Sequence, residues 1–184
     1  MKQRIWIVVI LLMCACMICF GAYRLCTRKD NEYKELRIPH YAGLDIVLTP
    51  PAVESKEYDY TGFRVSFNRH NRTPNWVAWE LLGAETAGEA KRHNKFWQDR
   101  NVDGCPTTND YRNSGYDRGH MCPAAEQKWS AEAMNDCFVM ANMCPQDHSL
   151  NSGAWNTLEN KERNWAVRDS AIVIVAGPIY NEGN

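Results

Sequence analysis

The alternation of apolar and polar residues predicts strands in the central and C-terminal parts of the chain. Phe63, Val65 and Phe67 alternate with polar residues, and this period of two is typical of a half-buried strand. The sequence WVAWELL at residues 76–82 predicts a second strand after a polar turn. AIVIVA at residues 171–176 predicts a buried strand that ends at a Gly-Pro pair.

Helical patterns and loops lie between these strands. Residues 130–138 begin with a good N-cap residue, Ser130, and predict a short helix, and residues 153–167 predict a longer one. Residues 138–143 are apolar enough to predict a further strand, whereas residues 84–114 are rich in polar residues and glycine and predict loops with short elements at most. Because strands and helices mix without a regular βαβ rhythm, the predicted fold class is α+β.

The N-terminal residues differ from the rest of the chain. Residues 5–23 contain no charged residue, and a helix of that length rises about 30 Å, close to the hydrocarbon thickness of a bilayer. Residues 1–26 therefore predict a membrane anchor or a signal segment. We expect an uncleaved anchor, because the best small-residue pair for cleavage, Cys19 and Gly21, is poorly suited, and lipidation at Cys16 is an alternative.

Basic residues flank this apolar segment on both sides and specify its orientation only weakly. We expect the rest of the chain to be exported. It would be anchored and face the periplasm or the outside, or be secreted if the segment is cleaved. Residues 27–60 are polar and contain prolines, and they predict a linker. Residues 61–184 then form the predicted domain.

The composition fits one globular domain with its own core. The chain has 184 residues, of which 45% are apolar and 23% are charged. The net charge is −1, so no general positive field would hold a nucleic acid on the surface. Any phosphate chemistry must therefore rely on local arginines.

The eight cysteines fall into two groups. Four lie in or beside the apolar N-terminal segment, where cysteine behaves as a small hydrophobic residue. The other four lie in the domain, at Cys105, Cys122, Cys137 and Cys144. Their spacings match no zinc pattern, and an exported location would permit one or two disulfides, with the pairing open.

The sequence DRGH at residues 117–120 is followed by a second polar segment, ANMCPQDHSLNSGAWNTLE, at residues 141–159. Asn151 and Glu159 in that segment would lie about 12 Å apart along a helix, so one could hold a cation directly and the other could hold its waters. Asparagine and glutamate oxygens with a water shell suit a hard cation such as Mg²⁺.

These residues fit the needs of phosphodiester hydrolysis, which are a base for water, a cation at the scissile phosphate and positive groups for the developing charge. His120 can be the base, Asn151 the metal ligand and Arg118 a phosphate clamp. Taken singly, each has a structural alternative, as a packing histidine, a helix N-cap and a solvated arginine, and Glu159 could pair with a basic residue on its own helix. Their occurrence together favours the catalytic interpretation.

Three motifs carry a family resemblance: DRGHMCPA, then ANMCPQ, then LNSGAWNTLE. In this order and spacing they resemble the DNA/RNA non-specific endonuclease family, from about Phe63 to the end of the chain. The resemblance implies the ββα-metal (His-Me finger) nuclease fold. It also implies a Mg²⁺-dependent endonuclease, with Mn²⁺ as a substitute cation, that hydrolyses DNA and RNA without sequence preference. No helix-turn-helix or zinc-finger pattern that could read bases is found in the sequence.

The resemblance implies roles for individual residues. His120 would be the general base, Asn151 would bind a single Mg²⁺, and Glu159 would orient metal-bound water. Arg118 would lie at the site, and Asn142 would support it.

The family also places an arginine well ahead of its histidine. Arg92 is the best match, and Arg100 and Arg112 compete with it. Relatives continue through further strands where this chain ends, at Asn184. The resemblance therefore implies either a minimal or a truncated version of the fold.

Cys122 stands where the family often has alanine. Cys122 and Cys144 each precede a proline and flank the predicted site. We therefore expect them to lie close enough for a disulfide, with Cα atoms less than about 7 Å apart.

A different functional class is the alternative. The chain could be a non-catalytic, membrane-anchored module that binds nucleic acid or another partner on a degenerate nuclease fold. The joint presence of His120, Asn151 and Glu159 argues against this alternative, because a degenerate site would be expected to lose at least one of them. No protein partner can be predicted from the sequence.

Overall fold

A computed structural model describes residues 47–180 of the chain. This part contains six strands and two α-helices, together with short 3-10 and π-helical turns. The strands are β1 (Lys56–Asp59), β2 (Arg64–Asn68), β3 (Thr73–Leu82), β4 (Asp117–His120), β5 (Met143–Gln146) and β6 (Ala171–Ala176), and the helices are α1 (Ala131–Asp136) and α2 (Asn156–Asp169). The mixture confirms the predicted α+β class.

Four strands form one antiparallel sheet in the order β1, β2, β3, β6. Val65 and Phe67 of β2 are buried, as the alternating pattern predicted, but Ser66 and Asn68 are buried as well, so the prediction of a half-buried strand is wrong. On β3, Val77 and Leu81 are buried on one face and Ala78 on the other. This burial on both faces explains why β3 is apolar along most of its length.

β4 and β5 form a separate antiparallel ribbon, in which His120 lies opposite Met143 and Asp117 lies opposite Gln146. The DRGH motif is therefore a strand of this ribbon. A Cβ atom at Gly119 would overlap the side-chain amide of Gln146. A larger residue at position 119 would therefore displace the buried side chain of Gln146.

One hydrophobic cluster joins the sheet, the ribbon and α1. It contains Phe67 of β2, Trp79 of β3, Met134 of α1, Met143 of β5 and, just after α1, Phe138. Each of these side chains is at most 3% exposed. The shared core holds the ribbon in place and supplies the buried surface on which the candidate site is built.

Both predicted helices are present. α1 begins directly after Ser130, whose Oγ accepts hydrogen bonds from the backbone N–H of Glu132 (3.1 Å) and Ala133 (3.4 Å). This geometry confirms the predicted N-cap. α2 follows a π-helical turn at Leu150–Trp155 and confirms the helix predicted at residues 153–167.

The strand predicted at residues 138–143 is wrong. Met140–Asn142 form a 3-10 turn, and β5 begins only at Met143. The run is apolar because it crosses the core, where Phe138 is fully buried, and not because it lies in a sheet. β5 itself contains Pro145, a residue that disfavours a central strand but is tolerated in a two-stranded ribbon.

β1 lies inside residues 27–60, for which the sequence predicted a linker. It pairs with β2, with Tyr58 opposite Val65, so the domain begins before residue 61. The charged, mostly exposed side chains of β1 are typical of an edge strand and leave no apolar pattern to detect.

The loops predicted at residues 84–114 are present, with short 3-10 turns at Gly83–Ala87 and Thr108–Tyr111. No helix in residues 47–180 combines the length and the hydropathy needed to cross a bilayer. The predicted membrane segment at residues 5–23 lies outside the described residues.

The cysteines of the domain form no disulfide: Cys105, Cys122, Cys137 and Cys144 are all free and buried. The thiol of Cys122 accepts a hydrogen bond from Nε2 of Gln127 at 3.1 Å. The thiol of Cys144 lies 3.6 Å from the hydroxyl of Tyr180. The predicted disulfide between Cys122 and Cys144 is wrong, because the two thiols face different neighbours.

Candidate active site

Two hydrogen bonds tie the start of α2 to strand β4. The indole Nε1 of Trp155 donates to the carbonyl oxygen of His120 at 3.2 Å. The amide Nδ2 of Asn151 donates to Oδ2 of Asp117 at 2.9 Å. Both donors come from the π-helical turn, Leu150–Trp155, so this turn sets the position of the candidate metal ligand relative to the candidate base.

His120 is held in an aromatic setting. His120 is only 8% exposed. The ring of Phe138 meets it edge to face, with centroids 5.0 Å apart, and the centroid of Phe96 lies 5.6 Å away. Nε2 of His120 is buried and has no hydrogen-bond partner among the described residues.

The surroundings of His120 favour its neutral form. Burial, the largest cause, and the charges of Arg92 and Arg118 together lower the pKa of His120 to about 3. The imidazole is therefore neutral at physiological pH, as a general base must be. Of the three arginines that competed for the upstream position, Arg92 acts on His120, whereas Arg100 and Arg112 are not among the groups that shift its pKa.

This pKa shift predicts an acid-sensitive fold. Unfolding returns the imidazole of His120 to its ordinary pKa of about 6.5, so below that pH the unfolded state binds a proton that the folded state does not, and stability falls with pH. Between pH 7.5 and 5.0 the wild-type chain should lose about 2 kcal/mol more unfolding free energy than His120→Gln. Urea unfolding at both pH values measures the difference, and equal losses in the two proteins would contradict the prediction.

Two arginines lie against the aromatic rings that surround His120. The guanidinium of Arg118 lies 4.3 Å from the ring centroid of Phe96, and that of Arg92 lies 5.4 Å from the centroid of Phe138. Neither arginine forms a salt bridge within residues 47–180, although the charge of Arg92 also lowers the pKa of Glu159. Their charges are therefore available to an anion beside His120.

Asn151 is oriented by the acid of the DRGH motif. Oδ2 of Asp117 accepts from Nδ2 of Asn151, and it also lies 2.8 Å from Nδ1 of His148. Asn151 is not a helix cap, because it lies inside the π-helical turn, and the backbone N–H of Ser149 before that turn donates to Oδ1 of Asp147 at 2.8 Å. The amide oxygen of Asn151 is thus left for a ligand, with no hydrogen bond in the described part of the chain.

Glu159 lies in the first turn of α2 and is half-buried. Burial raises the pKa of Glu159 to about 7, with Arg163 opposing the shift and Glu162 adding to it. No ion pair joins Glu159 to a basic residue within residues 47–180. The structural alternative for this glutamate, a salt bridge on its own helix, is therefore not found.

A buried acid and an arginine, not expected from the sequence, lie behind the site. Oε2 of the fully buried Glu126 accepts from Nε1 of Trp79 at 2.7 Å, and its Oε1 lies 3.6 Å from Nη1 of Arg163. The pKa of Glu126 is raised to about 8, chiefly by burial, and the hydrogen bond from Trp79 and the charge of Arg163 oppose the shift. Glu126 thus links α2 to the sheet. No pattern in the sequence indicated Glu126. For Arg163 the sequence showed only that this arginine lies four residues after Glu159, on the same face of the helix.

Asn142 supports the site from behind. It is fully buried, its Oδ1 accepts from the N–H of Cys122 at 2.9 Å, and its Nδ2 donates to the carbonyls of Cys122 and Cys137, each at 2.9 Å. These three bonds fix the chain just after His120. Asn142 therefore acts as a structural clamp and is not directed at a ligand.

The protein donors available for a cation are few. The described residues contain no cluster of three or more His, Cys, Asp or Glu side chains that could hold a metal ion. The amide oxygen of Asn151 and the carboxylate of Glu159 are the donors assigned to such an ion. A donor set this small suits a hard cation that keeps most of its waters, as Mg²⁺ does.

An antiparallel ribbon that carries a histidine, followed by a helix that carries an asparagine and a glutamate, defines a nuclease fold of the ββα-metal class. The solved structure of an EndoG/EndoGI complex has a similar fold, with a TM-score of 0.65 and 30% sequence identity over 70% of this chain and 55% of that chain. The model of the DNA/RNA non-specific endonuclease family matches residues 44–184. The chain belongs to this family, as its motifs predicted.

Curated relatives include mitochondrial nucleases. Nuclease EXOG of Mus musculus is 35% identical over 159 residues, which is 83% of this chain and 43% of that protein. Endonuclease G of Homo sapiens is 34% identical over 117 residues, which is 62% of this chain and 39% of that protein. The chain thus spans less than half of the length of these relatives.

Proposed function

We propose that this chain is a metal-dependent nuclease that hydrolyses phosphodiester bonds in DNA and RNA without sequence preference. The observation that carries the proposal is the buried, neutral His120, whose Nε2 has no partner among the described residues and lies beside two arginines without ion pairs. Membership of the DNA/RNA non-specific endonuclease family supports the same reaction.

His120 would act as the general base. Its neutral imidazole would accept a proton from the attacking water, and the imidazolium formed would then pass the proton to solvent. Phe138 and Phe96 hold the ring in place, so the base loses little orientational freedom before the reaction.

Arg118 and Arg92 would stabilise the charge that develops on the phosphate. Both guanidiniums are positioned by aromatic rings, and neither forms a salt bridge within residues 47–180. Positive groups fixed before the reaction stabilise the transition state without the cost of reorganisation.

The donor set described above fits Mg²⁺, with Mn²⁺ as a substitute. Asn151, through its amide oxygen, would hold the cation, and Glu159 would hold its waters. When bound, the cation would supply Lewis-acid stabilisation of the phosphate oxygens. Asp117 would keep the Asn151 amide in the orientation that presents oxygen, because it accepts the hydrogen bond from Nδ2.

Metal removal tests this proposal. With Mg²⁺, the purified chain should nick and linearise supercoiled plasmid DNA and degrade RNA, and excess EDTA should stop both reactions. Added Mg²⁺ or Mn²⁺ should restore them. Cleavage that persists in EDTA would contradict a metal-dependent mechanism, whereas binding without cleavage under all conditions would favour the non-catalytic module.

We also propose that residues 5–23 anchor the chain in a membrane and that the domain is exported. The length and lack of charge of this segment support the proposal. After carbonate extraction of membranes from expressing cells, the full-length chain should stay in the membrane pellet, and a variant that lacks residues 1–26 should be soluble. Release of the full-length chain by carbonate would contradict the anchor.

A further inference from the structure

A cavity of about 320 Å³ lies beside strand β4. It is lined by Thr108, Tyr111, Arg112, Tyr116, Asp117 and Arg118. The last two residues also belong to the candidate active site, where Arg118 borders His120 through Phe96 and Asp117 orients Asn151. The cavity is therefore continuous with the site, although the catalytic proposal assigns no role to the segment before β4.

The cavity offers positive charge that nothing in the described chain neutralises. Arg112 and Arg118 are exposed, and neither has a carboxylate partner within residues 47–180. By contrast, Arg72 in the neighbouring hairpin turn is ion-paired with Asp110 at 3.0 Å. The carboxylate that lines the cavity, Asp117, is already engaged by Asn151 and His148. An anion in this cavity would meet two available guanidiniums.

The cavity also presents an aromatic surface. Tyr116 is 56% exposed, and it borders both this cavity and a second one of about 200 Å³. The residue before it, Gly115, has a φ of 85°, a left-handed conformation that favours glycine and turns the chain immediately before the tyrosine. An exposed aromatic ring beside unpaired arginines is the combination that binds bases and phosphates of single-stranded nucleic acids.

We propose that this cavity is a subsite for the nucleotide next to the cleaved phosphodiester. Arg112 binds the neighbouring phosphate, and Tyr116 stacks against an unpaired base. The inference rests on the proposed nuclease function and adds to it a preference for single-stranded over double-stranded substrate. The reason is that a base can stack on a side chain only when it is free of its partner strand.

Binding measurements on the full chain test the subsite. The His120→Ala background prevents cleavage, and the probes are a fluorescent single-stranded oligonucleotide and the duplex of the same sequence, both with Mg²⁺. Tyr116→Ala should weaken single-strand binding about tenfold and leave duplex binding nearly unchanged, and Tyr116→Phe should keep most of the affinity because the ring remains. Arg112→Ala should weaken binding of the single strand and reduce its salt dependence by about one phosphate contact.

Arg100→Ala is the matched control, because it removes the same charge from a residue that lines neither cavity. The subsite is overturned if Tyr116→Ala binds the single strand as tightly as the parent, or if Tyr116→Phe is as weak as Tyr116→Ala. It is also overturned if Arg100→Ala matches Arg112→Ala.

The wild-type chain separates this inference from the proposed function. If it cleaves DNA while the Tyr116 variants bind like the parent, the subsite alone is wrong. If it never cleaves but Tyr116→Ala loses single-strand affinity, the catalytic proposal is wrong and the site binds nucleotides without cutting them.

Discussion

Replacing His120 with alanine is expected to slow cleavage of DNA by about 10²–10⁴-fold, the usual contribution of a positioned general base. Affinity for DNA should remain nearly unchanged, because Arg92 and Arg118 keep their charges and their aromatic supports. Single-turnover cleavage and a binding assay on the same variant separate the two effects.

His70→Ala provides the matched control for this substitution. His70 lies in the turn between β2 and β3, exposed and 3.1 Å from Glu54, and no role in the site is assigned to it. Its loss should leave the cleavage rate unchanged. A His120→Ala protein that bound DNA poorly but cut bound DNA at the wild-type rate would place His120 in binding and not in proton transfer.

Replacing Asn151 with alanine should abolish Mg²⁺-dependent cleavage while the domain stays folded. The substitution removes the amide oxygen assigned to the cation together with the 2.9 Å hydrogen bond to Asp117. The stability cost should be only about 1 kcal/mol, because a partly exposed hydrogen bond contributes about that much. Asn151 is not a helix cap, so α2 keeps its start.

Titration of activity with Mg²⁺ measures this effect, with Asn156→Ala as the matched control. Asn156 is exposed at the start of α2, five positions further along the chain. The control should need the same Mg²⁺ concentration as the wild type. An Asn151→Ala protein with unchanged metal dependence would show that other residues hold the cation.

Most of the fold follows from periodicity that the sequence displays. β2 shows the period of two, and Ser130 marks the start of α1. β6 is the predicted short apolar strand, but it lies at the edge of the sheet and is only partly buried, so the prediction of a buried strand is wrong. These signals are local, so the sequence alone reveals them. The strand predicted at residues 138–143 was wrong because burial by long-range packing and burial in a sheet produce the same apolar pattern.

The remaining errors also have physical causes. β1 is a strand because its backbone pairs with β2, and backbone hydrogen bonds leave no trace in a charged sequence such as KEYD. The disulfide prediction relied on Cys122 and Cys144 lying near one site. Proximity in sequence motifs does not fix the direction of a side chain, and these two thiols contact different residues.

The candidate site was largely predictable at the level of residue type. The motifs singled out His120, Arg118, Asn151 and Glu159, and hydrogen bonds from Asn151 and Trp155 tie the turn before α2 to β4. The neutral state of His120 was not predictable, because it depends on burial and on the charge of Arg92, which lies far from it along the chain.

The contacts that support the site residues could not be predicted from the sequence either. Phe96 and Phe138 belong to no motif. Phe96 packs against Arg118, and Phe138 packs against Arg92 and the imidazole of His120. Such contacts join distant segments through the core. They become visible only when the packing is known.

The central claim is that a neutral His120 removes a proton from water in a metal-dependent nuclease. The most direct test is the single-turnover rate at which His120→Ala cleaves a labelled DNA strand with saturating Mg²⁺, measured with and without added imidazole. The rate should be about 10²–10⁴-fold below wild type and should rise with the concentration of neutral imidazole, because the small base enters the space left by the side chain. A His120→Ala protein that cuts at the wild-type rate without imidazole would contradict it.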